Sequence, residues 1–146
     1  MAGRLGAVLI ALQDQDLGKN TGSSGSPEEG AEGGAARLDR VRLRADFLAA
    51  ASARRQTAGS FMLQARERGD DMAPRVGYTA SKKIGNAVAR NRAKRRLRAA
   101  VHQILRPMAR TGWDYVLVAR PGVTIARPFV DLMADLHRAV LAVHRP

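Results

Sequence analysis

Lys82 and Lys83, followed by Arg90, Asn91, Arg92, Lys94, Arg95, Arg96 and Arg98, place eight cations and one amide within 17 residues. Ammonium and guanidinium groups neutralise phosphates and release the counterions condensed on them, so the chemistry open to this stretch is polyanion binding. The acid-free region is wider still: between Asp71 and Asp114 lie 42 residues with 11 Lys or Arg and no carboxylate. A solvated helix face mixes signs, so a stretch of this length without an acid points to a polyanion; the alternative is a set of basic residues kept for solubility.

Other chemistries find little support. His102, His137 and His144 are scattered along the chain, without the paired placement a histidine-based nuclease needs. Asp70-Asp71 reads as a solvated turn and not as a metal pair. There is no cysteine, which excludes disulfides, thiolate zinc sites and cysteine nucleophiles. No Walker loop, zinc spacing or Gly-x-Gly-x-x-Gly occurs. No residue is assigned as catalytic, and no metal or cofactor is assigned to the protein.

The 146 residues suit one domain, and a 45% apolar content is enough to bury a core. The net charge of +12 is uneven: residues 1–36 sum to −3 and residues 37–146 to +15. Leu5–Leu12 is a short apolar run like the h-region of a secretory signal, but Gln13-Asp14-Gln15-Asp16 follows where a cleavage site would stand. Gly18–Ala36 has linker composition, so residues 1–36 are expected to be a disordered extension and residues 37–146 the domain. No apolar run reaches the roughly 18 residues of a spanning helix. A membrane-surface role would need large aliphatics opposite the arginines on a free helix, whereas Leu97–Leu105 is needed for the core, so no membrane is expected as a partner.

The elements follow from periodicity. Asp46–Ala51 favours a helix, with Arg54-Arg55 read as cations at its C-terminal end. Phe61, Leu63 and Ala65 alternate with Met62, Gln64 and Arg66, and Val76, Tyr78 and Ala80 alternate with Arg75, Gly77 and Thr79. These two strands, joined through Gly69-Asp70-Asp71, are expected to pair as an antiparallel hairpin. Asn86 is a suitable N-cap for a helix from Ala87 to about Leu105, ended by Pro107. On that helix Leu97, Val101 and Ile104 share one face, and the same stripe runs back through Arg90 and Lys94. A buried unpaired cation is too costly, so the first turns are expected to overhang a groove at the sheet edge. Trp113–Ala119 reads as a central strand, and a last helix carries Leu132, Leu136, Val140 and Val143 on one stripe. The order helix, strand, strand, helix, strand, helix gives an α/β layer structure.

Three segments together resemble one family. Arg75-Val76-Gly77-Tyr78-Thr79, Ser81–Val88 and Arg90-Asn91-Arg92-Ala93-Lys94-Arg95-Arg96-Leu97-Arg98 are similar to the bacterial ribonuclease P protein family, whose signature is the Arg-Asn-Arg centre. Arg40-Val41, Asp46-Phe47, Phe61-Met62-Leu63-Gln64 and Asp114–Arg120 stand at family-like spacings, and the likeness spans residues 38–144. It implies an α+β two-layer sandwich, ribosomal protein S5 domain 2-like, with a small mixed sheet, a left-handed βαβ crossover and room for an extra short strand.

The resemblance also implies a function: the protein subunit of a cytoplasmic ribonucleoprotein that removes the 5′ leader from precursor tRNA. Its partners would be the ribonuclease P RNA and precursor tRNA, with no obligatory protein partner. Catalytic groups and the required magnesium would belong to the RNA subunit. Arg90, Asn91, Arg92, Lys94, Arg95, Arg96 and Arg98 would contact that RNA, and Lys82 and Lys83 would reach phosphates of either RNA. Phe47, Phe61 and Tyr78 are the rings available to a leader cleft between the sheet and the first helix. Phe61 reads better as core because it alternates with Leu63, and Phe47 could serve either purpose. Ala51 replaces a bulky residue that the family commonly has four positions after Phe47, which weakens stacking at that end of the cleft. The alternative function is a small ribosomal or other structural RNA-binding protein, which would share the charge and size but would not need the ordered motif set.

Overall fold

The computed structural model describes residues 37–146; the expected disorder of residues 1–36 lies outside the described residues. Within the described residues the chain forms β1 (Asp39–Arg40), α1 (Arg44–Ala51), β2 (Arg54–Thr57), β3 (Phe61–Glu67), β4 (Arg75–Thr79), α2 (Ala87–Ala100), β5 (Trp113–Ala119), α3 (Val123–Ala126) and α4 (Phe129–Val143). A single 3-10 turn at Lys82–Ile84 leads into α2, and a π-helical turn at Val101–Leu105 prolongs it to the stop before Pro107.

The strands form one mixed sheet in the order β1-β4-β5-β3-β2. Trp113–Ala119 is buried at all but one position, which fits the middle of a sheet covered on two sides. It pairs antiparallel with β3, Phe61 opposite Ala119, and parallel with β4, Tyr78 opposite Leu117. The expected hairpin of β3 and β4 is therefore wrong, because β5 lies between them. The turn signal at Gly69-Asp70-Asp71 marks a reversal, and the chain then crosses to the far edge of β5 before β4 begins. A second reading is corrected too. Arg54-Arg55 do not end the first helix but open β2, which pairs with Ala65 and Gln64 of β3. The helix has already ended at Ala51, where the Ser52 Oγ–H donates to the Leu48 carbonyl at 3.0 Å.

The sheet divides its residues by parity. Phe61, Leu63, Ala65, Val76, Tyr115 and Leu117 face the long helices, joining Ala93, Leu97 and Leu105 with the α4 stripe Leu132, Leu136, Val140 and Val143 in the main core. Leu97, Leu105, Leu132 and Leu136 are fully buried, each stabilising by about 1.5–3 kcal/mol relative to exposure. The opposite face carries α1, whose Phe47, Ala50 and Ala51 cover Val41 and Val116.

Candidate RNA interface

The basic helix is set by two local caps. Ser81 Oγ accepts the Lys83 N–H at 3.3 Å, and Asn86 Oδ1 accepts the Ala89 N–H at 2.9 Å, which starts α2 at Ala87 as its sequence predicts. The 14 residues of α2 contain no acid, and its buried positions are Ala93, Leu97 and Ala100. Asn91, Arg92, Arg95 and Arg98 are exposed, as are Lys82 and Lys83 beside the helix start. Arg90 and Lys94 are half-buried on the core-facing stripe. Burial of the stripe holds the axis against the sheet, so the cations are carried by a rod fixed by the core and not by a mobile loop.

Arg96 stands apart from the others. Its Nε–H donates to the Thr124 carbonyl at 3.1 Å, an Nη2–H donates to the Arg127 carbonyl, and the guanidinium lies over the Phe129 ring at 6.0 Å. The assignment of Arg96 to RNA is therefore corrected to a brace between α2 and the α3–α4 segment. Two positions along, a rotation of about 200° sends Arg98 to the other flank, where it covers the Tyr78 ring at 5.1 Å.

The expected leader cleft changes more. Phe61 belongs to the main core, fully buried, and Tyr78 lines that same face against Arg98. Neither can line a groove beside α1, because the period of 2 places their rows on the opposite side of the sheet. Phe47 does lie on the α1 side but is only 2% exposed. Its ring presses on β4, where a Cβ at Gly77 would come within 2.7 Å of Phe47 Cε1. The ring is core under α1, and among the described residues the α1 side has no exposed aromatic platform.

The sequence reading passed over Gln64. It sits on the α1 side of β3, fully buried, and neither its amide oxygen nor its nitrogen has a hydrogen-bond partner. A buried amide without partners is costly. Its signal was the polar half of the Met62-Gln64-Arg66 alternation.

Below it, an ion network ties α1 to the sheet. Asp114, fully buried, accepts from Arg75 at 2.8 Å through each oxygen and from Arg68 at 2.5 Å. Asp46 of α1 pairs with Arg66 at 3.4 Å and Arg75 at 3.3 Å. The hydrogen bond and then the charge of Asp114 are the leading effects that raise Arg75, against burial, which lowers it. Asp70 is engaged by Arg68 and the Met72 N–H, which hold its carboxyl down at about 2. Among the described residues no group of three or more histidines and carboxylates is arranged to hold a metal ion. No described helix is long and apolar enough to cross a membrane.

These features define a small α+β protein that displays a fixed row of cations on one helix. Comparison with known proteins narrows that class. The family model described as Ribonuclease P matches residues 36–143. The ribonuclease P protein component of Ruegeria pomeroyi is 59% identical over 108 residues, which cover 73% of this chain and 86% of the relative. That of Paramagnetospirillum magneticum is 47% identical over 114 residues, 75% of this chain and 85% of the relative. The solved structure of the RNase P protein from Thermotoga maritima superposes with a TM-score of 0.63 at 25% identity, covering 73% of this chain and 99% of that one. The chain belongs to the ribonuclease P protein family.

Proposed function

We propose that this chain is the protein subunit of ribonuclease P, holding the catalytic RNA through α2 and the 5′ leader of precursor tRNA on the α1 side of the sheet. The carrying observation is α2 itself, an acid-free helix whose core stripe is Ala93, Leu97 and Ala100 and whose exposed sides are Asn91, Arg92, Arg95 and Arg98. Arg90, Asn91, Arg92, Lys94, Arg95 and Arg98 contact the RNA subunit in this reading. Lys82 and Lys83, at the mouth of the β4–α2 connection, meet phosphates of either RNA. Guanidinium forks suit bidentate phosphate contacts, and the helix spacing matches a rigid backbone better than a flexible strand.

With Phe47 buried and Ala51 beside it, leader binding rests on charge and on hydrogen bonds more than on stacked bases. Gln64 offers the amide there, and a base edge entering between α1 and β3 would supply the partners it lacks. The protein supplies no acid, base or metal site for cleavage in this scheme. Magnesium and the reacting groups belong to the RNA subunit, and the protein's role is to hold two RNAs in register. A ribosomal RNA binder would share the charge, but the family membership does not favour it.

Replacing Arg90 and Arg92 by Ala tests this reading. Binding to the RNA subunit should weaken, and the slope of log K against log salt should fall by roughly 2, about 0.9 per lost phosphate contact. An unchanged slope would place the contacts elsewhere.

A further inference from the structure

Outside α2, cations also gather at the β2 edge of the sheet. β2 ends the strand order, beside β3. Arg55 stands opposite Gln64 and Arg54 opposite Ala65, so by the period of 2 Arg55 emerges on the α1 side and Arg54 on the side of the long helices. Two successive cations thus straddle one rim. Arg54 Nη1–H groups donate to the Val143 carbonyl at 2.7 Å and to the Arg145 carbonyl, at the C-terminal end of α4. The same guanidinium lies 5.8 Å from the centre of the Trp113 ring. Arg110 reaches that ring at 5.9 Å from the segment before β5, and an Nη1–H donates to the His144 carbonyl at 3.4 Å.

These contacts fix the two guanidinium groups without neutralising them. Carbonyls and a ring carry no net charge, and the Nε and Nη2 groups of both arginines meet no acceptor among the described residues. Arg68, Arg75, Arg127 and Arg138, by contrast, each meet a carboxylate. Glu67 stands opposite Trp113 in the ladder, but it is exposed and forms no ion pair among the described residues. His144 lies edge-on to Trp113 at 5.1 Å. Burial first, and then Arg110 and Arg54, lower its pKa to about 4, so it adds no charge near neutral pH. Fixed guanidinium forks with unused N–H groups suit phosphate oxygens.

The rim is continuous with the α1 side, where the unpartnered Gln64 amide stands opposite Arg55. RNA lying on that side reaches Arg54 and Arg110 by turning over β2, the last strand of the sheet. Such a turn suits a flexible single strand whose backbone follows the cations, which selects the leader over the folded body of the tRNA. We infer that Arg54 and Arg110, approached past Arg55, form a phosphate-binding rim for the leader nucleotides that extend beyond the α1 side. The inference rests on the reading that the α1 side holds the leader, but these arginines belong to none of the sites assigned there.

The test is salt-dependent binding of the full chain, in complex with the ribonuclease P RNA, to mature tRNA and to precursor tRNAs with a short leader or one long enough to pass β2. Arg54→Gln with Arg110→Gln should lower the salt slope for the long leader by about 1.4, at roughly 0.7 per single-strand phosphate contact. Binding of the short leader and assembly with the ribonuclease P RNA should not change. Arg54→Lys with Arg110→Lys should restore most of the slope. Arg54 also holds the end of α4, so thermal unfolding checks that the variants fold. If the double Gln variant does not, the exposed Arg110→Gln decides alone, with a fall of about 0.7 in the long-leader slope. A wild-type slope for the long leader in these variants, or an equal loss for both leader lengths, overturns the rim alone. Wild-type binding of precursor no tighter than that of mature tRNA overturns the leader reading itself, and this inference with it.

Discussion

On α2, Arg95 is exposed, whereas the guanidinium of Arg96 is bound to the Thr124 and Arg127 carbonyls. Arg96→Leu should therefore lower stability by about 1.5–3 kcal/mol, the range for charged hydrogen bonds, with RNA affinity little changed. Arg95→Ala should do the reverse, shifting stability by no more than about 0.5 kcal/mol and lowering the salt slope by about 0.9. Urea unfolding and RNA titration of the same two variants separate the roles, and equal effects on both readouts would refute the division. Near the C-terminus, Tyr115 accepts the Arg110 N–H at 3.0 Å and lies 2.7 Å from His144 Nε2. Burial, followed by the charges of Arg110 and Arg54, lowers the His144 pKa from 6.5 to about 4. The unfolded chain then binds this proton at a higher pH than the folded one. Its contribution is full above pH 6.5 and is lost as pH falls toward about 4. The melting temperature should drop between pH 7 and pH 5, and His144→Gln should flatten that drop; an equal drop in the variant would assign it to other groups. At this scale the charged residues of α2 were legible because composition alone marks them. The duty of Arg96 was not, since its acceptors lie 28 and 31 residues away.

Among the elements, the faces of β3 and β4 were written in their alternation, which already marked Phe61 as core, yet Tyr78 was still left among the cleft rings. Phe61-Leu63-Ala65 and Val76-Tyr78-Ala80 are the apolar rows, and the apolar rows meet the long helices. Applied to the rings as well as to the strands, the same periodicity excludes both from the α1 side. The pairing of the strands was not accessible in this way. A turn between two strands implies a hairpin unless a third strand inserts, and β5 inserts because its buried run needs a partner along each edge. The close approach of α1 to β4 is equally non-local and depends on Gly77. Gly77→Ala puts a methyl into the Phe47 ring and should cost about 1–3 kcal/mol through overpacking. Because the displaced ring lies under α1, precursor tRNA binding should weaken while binding to the ribonuclease P RNA holds. Equal loss for both RNAs would argue against separate faces.

At the scale of the molecule, the +12 charge is an average over unlike parts, and the domain of residues 37–146 carries +15. Part of that charge is internal, where Asp114 gathers Arg68 and Arg75 and where Asp135 gathers Arg127 and Arg138. Burial alone would raise the Asp135 carboxyl, but hydrogen bonds from Arg127 and Ser60 hold it below its ordinary value. The charge left outward is concentrated on α2 and its flanks, where a polyanion can lie along one rigid surface. The central claim is that this surface serves a catalytic RNA and its precursor tRNA. The most direct measurement combines the purified protein, a bacterial ribonuclease P RNA and precursor tRNA at low magnesium, omitting each component in turn. The account predicts that the protein strongly stimulates leader removal by the RNA and cleaves nothing by itself. Leader removal that is no faster with the protein than without it would contradict the account.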